Sequence, residues 1–356
     1  MRPQTYDPFR AAQRGIRLPG LGDLPYAGPV TVLAHVDRYP PWVNAGAERM
    51  LHALLTHLVE QGHEVHVTTA VDEPAVVDGV HVWPAAHART LAAGADVIVG
   101  HLLWTREAVT LARQADRPLL YLVHNDFQVR YWRLQPSDVT VLVHNAEWVE
   151  DRHYAQAPWW SGPTAVIRPP CRIRDYHVDR PDPRYVTLIN PNPDKGAATF
   201  YEIARRMPDR EFLVVGGGYG PQVPVPPDLP NVTYQPPTAN IAEDVYARTR
   251  VLLVPSRYES WGRVAIEAMC SGIPVVAHPT AGLIESCGTA GIFADRADPA
   301  AWVDVILGLD DPATYQERSS RALERALLLD QAAQRDLASW ERLVGRAAAP
   351  VVASRT

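Results

Sequence analysis

The segment Arg257–Val276, "RYESWGRVAIEAMCSGIPVV", sets two glutamates, Glu259 and Glu267, eight positions apart. The pattern predicts a helix running to Ser271, with Ser260 as a suitable N-cap and Gly272 as a stop. Gly262 lies at the head of this helix, where free backbone amides and the positive end of the helix dipole favour an anion such as phosphate. Glu267 falls about five residues further in, roughly 7 Å along the axis at ~1.5 Å per residue. That offset approximates the span from a diphosphate to the ribose hydroxyls of a nucleotide, and a carboxylate accepts well from a diol. Glu259, in the loop ahead, would face the other end of the diphosphate, where a sugar would hang. A second chemical signal is Lys195, the only lysine among 34 basic side chains. A chain that uses arginine everywhere else and lysine once marks a place for a compact, rotatable ammonium.

These residues need a frame, and the chain alternates short β-branched runs with amphipathic stretches, the pattern of βα units and parallel sheets. One series of runs covers 30–36, 64–69, 96–100, 118–124 and 139–144, with a helix before Gly62 carrying Met50, Leu51, Leu54, Leu55, Leu58 and Val59 at helical spacing. A second series covers 185–190, 211–216, 231–234, 250–255 and 273–278. The proline- and arginine-rich stretch between them reads as a linker, and the chain after Asp298 reads as helix to about Gly345. The expectation is an α/β protein of two Rossmann-like, doubly wound domains facing across a cleft, with ligands beyond the carboxyl ends of the strands. The expected divisions are an N-terminal extension 1–29, a first domain 30–172, a linker 173–184, a second domain 185–332 and a C-terminal helix and tail 333–356 that returns to the first domain.

Composition narrows the function. With 356 residues, 47% hydrophobic and 21% charged, the chain can bury two cores. It has no apolar run of membrane-spanning length and no signal-peptide pattern. Three scattered cysteines suggest neither a disulfide framework nor a metal site, and the expected location is the cytoplasm. A net charge of -6 argues against nucleic acid as partner.

The segment "ESWGRVAIE" resembles the Glu-x7-Glu signature of retaining GT-B glycosyltransferases of the family-four type. The resemblance implies that Glu267 holds the ribose of a nucleoside-diphosphate sugar, that Glu259 contacts its sugar hydroxyls, and that Gly262 and Arg263 bind phosphate. Lys195-Gly196 matches the lysine-glycine that neutralises the leaving diphosphate. Asn190, five residues earlier, stands where that family usually has arginine, and remains a donor-site candidate. "LVVGGGYG" resembles a strand-to-glycine turn near the nucleotide, which selects Gly217, while Pro237 and Thr238 fall where the base is held. In the first half, "NAGAERM" resembles a glycine loop approaching the donor phosphate; Gly46 is its candidate, with Ala45 replacing a common first glycine. His124 corresponds to a histidine that faces the donor sugar, although Asp126 is one residue displaced from the usual histidine-aspartate pair. His144 and Asn145 are cleft-lining candidates, and Trp104, Trp132, Trp148, Trp159 and Trp160 are either acceptor-side rings or core anchors.

The implied reaction is transfer of a sugar from a nucleoside-diphosphate donor to the hydroxyl of a lipid, glycan or natural product, with retention of configuration. No Asp-x-Asp occurs, so neither a metal nor another cofactor is expected. The competing readings are a nucleotide-sugar epimerase of the same fold, a phosphorylase, a non-catalytic nucleotide-sugar binder and a DNA-modifying transferase.

Overall fold

A computed structural model of the chain describes residues 28–179 and 181–349. The expected N-terminal extension, apart from residues 28 and 29, and the tail from 350 onward lie outside them. The chain divides into two compact units: one holds the described residues up to Pro170 together with those from Gln334, the other Cys171–Ala333.

The first unit is built on an eight-stranded sheet. Its strands are β1 (Thr31–His35), β2 (Glu64–Thr69), β3 (Ala75–Val77), β4 (Val80–Pro84), β5 (Val97–His101), β6 (Leu119–Val123), β7 (Val141–His144) and β8 (Thr164–Val166), in the order β3-β4-β2-β1-β5-β6-β7-β8. All neighbours are parallel except the β3–β4 hairpin, turned by Asp78 and Gly79, both in the left-handed region. The parallel strands are covered on both faces and therefore read as apolar runs. Val32, Val65, Val99, Leu120 and Val143 form one core with Leu51, Leu54 and Leu58 of the helix Gly46–Glu60. The long helix Pro312–Ala348 adds Leu337, Trp340, Leu343 and Val344 to that core. The Trp340 indole donates to the Leu54 carbonyl at 3.2 Å, and Arg168 forks onto Asp336 at 2.8 and 3.1 Å. Strand order reverses between β1 and β5, so their carboxyl ends, His35 and His101, flank a topological switch point.

The second unit carries a six-stranded parallel sheet of β9 (Tyr185–Ile189), β10 (Phe212–Val215), β11 (Val232–Gln235), β12 (Thr249–Val254), β13 (Val275–Ala277) and β14 (Ile292–Phe293), in the order β11-β10-β9-β12-β13-β14. Its switch point lies between β9 and β12, and the loops leaving these two strands carry Lys195 and Glu259. The stretch expected as a linker, 173–184, is packed onto this unit instead. It forms a short helix, Ile173–Tyr176, and its backbone is tied down by Asp330, Ser271, Ala247 and Arg248.

Candidate active site

The loop after β9 is held by side-chain amides. Asn190 adopts a left-handed backbone (φ 63°), and its side-chain Oδ1 accepts from the Asn192 amide at 3.1 Å and the Gln222 amide at 2.8 Å. Asn192 in turn accepts the Lys195 backbone N–H at 2.9 Å, and Gln222 accepts that of Gly217 at 3.0 Å. Gly217 lies so close to Asn190 that a β-carbon there would overlap the Asn190 amide. Gly196, at φ 85°, opens the helix Ala197–Arg206 against the loop after β12, where a β-carbon would overlap the Pro255 carbonyl oxygen. The two loops are also joined by Arg257, whose N–H donates to the Asp194 carbonyl at 2.8 Å.

This arrangement brings Lys195 and Glu259 into a direct ion pair. Ser256 donates to the same carboxylate oxygen at 2.8 Å, and the Tyr219 ring centre lies 5.9 Å from the ammonium. Burial acts to lower the Lys195 pKa, but the Glu259 charge and Tyr219 outweigh it and hold the ammonium above its ordinary value.

Glu267 sits on the helix Arg263–Met269. The N-cap is Gly262, at φ 82°, not the expected Ser260: the loop turns through the left-handed region two residues later, with Leu283 filling the space beside it. Glu267 is only 5% exposed. Its carboxylate accepts from Arg263 one turn earlier, at 3.1 and 3.2 Å, and from the Tyr246 hydroxyl at 3.0 Å. Arg263 also donates to the Tyr176 hydroxyl at 3.1 Å. Burial, then Glu267, pushes the Tyr246 phenol well above its ordinary range, so it stays a protonated donor. Each acid of the Glu-x7-Glu pair is thus matched by a cation of the same unit. Further out, Pro237 packs over Gly216, and Thr238 bonds Asp244 while accepting the Asn240 N–H at 3.0 Å.

Gly46 and His124 belong to the first unit. Gly46 is the first residue of its helix, behind an extended Ala45. His124 follows β6, buried, with Nε2 3.0 Å from Nδ1 of His101. Burial drives its pKa down to about 3, so the imidazole is neutral at ordinary pH. The Asn145 amide donates to the His124 carbonyl at 3.2 Å, and His144 pairs with His153 at 2.8 Å. Asp126 lies 3.8 Å from Arg152. Trp160 is a buried core anchor, Trp104 packs on His35 at 5.0 Å, and Trp159 is exposed. Sequence spacing offered no access to Tyr246, Tyr176 or Gln222, and Tyr219 stands inside "LVVGGGYG" without being marked out by type or spacing. Ser256 was the one legible omission, lying in the same loop as Glu259. No group of three metal-ligating side chains is present among the described residues, and none of their helices is long and apolar enough to cross a membrane.

Two Rossmann-like units of this construction define the fold of GT-B glycosyltransferases. Residues 185–311 match the family model described as Glycosyl transferases group 1. Among curated relatives, a D-inositol 3-phosphate glycosyltransferase of Catenulispora acidiphila is 38% identical over 112 residues, 31% of this chain and 25% of the relative. One of Corynebacterium efficiens is 34% identical over 143 residues, 35% of this chain and 33% of the relative. The matches thus span a quarter to a third of those relatives' length. Among solved structures, Anabaena Alr3699/HepE in complex with UDP-glucose superposes with a TM-score of 0.69 at 16% identity, covering 88% of this chain and 98% of that one. Sucrose-phosphate synthase of Thermosynechococcus elongatus superposes with 0.69 at 17% identity, covering 88% and 99%.

Proposed function

We propose that the protein is a retaining glycosyltransferase whose second unit binds a nucleoside-diphosphate sugar at the β9–β12 switch point. The observation that carries this reading is the pair of ion pairs there, Lys195–Glu259 and Arg263–Glu267. A nucleoside-diphosphate sugar offers complementary partners to all four groups. Its diphosphate takes the ammonium and guanidinium, the sugar hydroxyls take Glu259, and the ribose diol takes Glu267. Donor binding then exchanges partners and leaves no charge stranded, which limits the desolvation cost of a buried site.

In the transfer step, the bond between the anomeric carbon and the diphosphate oxygen breaks as the acceptor oxygen bonds to that carbon from the same face. The acceptor proton passes to the departing phosphate oxygen. Charge grows on the diphosphate, and Lys195, Arg263 and the backbone amides at Gly262 and Arg263 are fixed to meet it. No metal ion is needed for this purpose.

Calorimetry with UDP-glucose, the ligand named for the Anabaena neighbour, is the direct test. Binding is expected for the wild type and weakened at least tenfold in Glu267→Gln. A panel of nucleoside diphosphates and their sugars, none of which binds, would overturn the reading. Inositol phosphates, from the names of the curated relatives, are the first acceptors to supply, alongside a blank that detects sugar released or altered without an acceptor.

A further inference from the structure

We infer that the first unit carries a second, separate binding site, for an anionic saccharide, in the cavity between the short helix Gln128–Trp132 and the end of the helix Glu147–Gln156. The hollow is open to solvent, with a volume of about 850 Å³, and Phe127, Tyr131 and Trp159 line it. They are 51, 70 and 41% exposed, although large aromatic rings are ordinarily covered. Three exposed rings around one hollow make a stacking surface for the apolar faces of sugar rings. Trp159 is fixed for this purpose, because its indole N–H donates to the Leu134 carbonyl at 3.1 Å. The polar lining complements a hydroxylated, negatively charged ligand. Arg130 and Arg133 both open onto the cavity and, among the described residues, neither has a carboxylate partner. Guanidinium groups left unpaired beside aromatic rings suit the fork-like recognition of a phosphate or carboxylate. Gln156, anchored to Asp126 at 3.4 Å, adds an amide for hydroxyl recognition.

The volume holds a ligand of one to three sugar units and does not track a nucleic-acid strand. The chemistry is therefore a sugar bearing phosphate or carboxylate, either free or as the headgroup of a lipid.

The test uses the full chain and glucose 6-phosphate as probe, with glucose and inorganic phosphate as controls. Calorimetry should show saturable binding of glucose 6-phosphate, weakened at least tenfold in Arg130→Gln/Arg133→Gln and in Tyr131→Ala, with UDP-glucose affinity unchanged in both variants. Tyr131 and both arginines are exposed, and circular dichroism checks that each variant is folded. Sedimentation with phosphatidylinositol vesicles, with and without competing glucose 6-phosphate, separates the two sources: competition places a lipid headgroup in the same cavity. Absence of saturable binding, equal affinity in the variants, or inorganic phosphate binding as tightly as glucose 6-phosphate would overturn the proposal. So would vesicle binding that the soluble probe does not compete.

Discussion

At the scale of single residues, the ion pair between Lys195 and Glu259 makes a measurable claim about a proton. Burial alone would depress the ammonium, and the carboxylate reverses that effect. Glu259→Gln should therefore lower the Lys195 pKa below its wild-type value. The chain has one lysine, so labelled lysine gives a single side-chain resonance to titrate; an unmoved titration would dissociate the two groups. Lys195→Ala should slow turnover roughly ten- to a hundredfold, the loss of a charged hydrogen bond of about 1.5–3 kcal/mol. Unchanged turnover at saturating donor would remove the lysine from the mechanism. Glu267 behaves differently because it is internal. Glu267→Ala strands the buried Arg263 guanidinium and should cost about 3–5 kcal/mol of stability, read as a lower urea midpoint. Weaker nucleotide binding in that variant must be measured on the folded fraction, and Glu267→Gln, which preserves volume and a hydrogen-bonding amide, separates the two effects.

At the scale of elements, the site depends on where loops leave a sheet. Lys195 and Glu259 meet because β9 and β12 are adjacent strands whose chains depart in opposite directions, and because Gly196 lets one loop touch the other. Gly196→Ala should reduce both stability and donor affinity, since the left-handed backbone and the overlap with Pro255 each penalise a side chain. Donor affinity equal to wild type would show that the contact between loops is not needed. This framework was legible in the sequence: the apolar runs gave the central strands of both sheets, and Gly262, Lys195 and the two glutamates stood out by type and spacing. The hairpin Ala75–Pro84 carried an Asp78-Gly79 turn signal between two short runs, but its strands are three and five residues long and interrupt the βα rhythm. The burial of Glu267 was not legible. Its partner Tyr246 comes from an element about twenty positions away, and Tyr176, which accepts from Arg263, from one about ninety positions away; only the fold brings both hydroxyls to the Arg263–Glu267 pair.

At the scale of the whole molecule, acid should act unevenly. Of the histidines, only His177 and His278 lie in the second unit. In the first unit, burial lowers His124 to about 3 and His153 to about 4, and drives His101 and His144 well below their ordinary value. A histidine depressed in the folded state binds its proton more readily when unfolded. Its contribution is therefore complete above about pH 6.5 and is lost as pH falls toward the folded pKa, at about 1.4 kcal/mol per pH unit for each group. Urea midpoints followed by tryptophan fluorescence should fall between pH 6.5 and 4; a flat profile would contradict the burial of these rings. Eight of the ten tryptophans report on the first unit, namely those at 42, 83, 104, 132, 148, 159, 160 and 340. The last of these has a consequence for biosynthesis. Trp340 and its neighbours on the long helix are made after the whole of the second unit, yet they complete the core that contains β1. The strands of the first unit therefore wait for a closing piece that is made after the second unit, while the second unit has all its strands before that piece is made. A nascent chain halted after Ala333 should resist protease over Cys171–Ala333 and be cut readily within the half made before it.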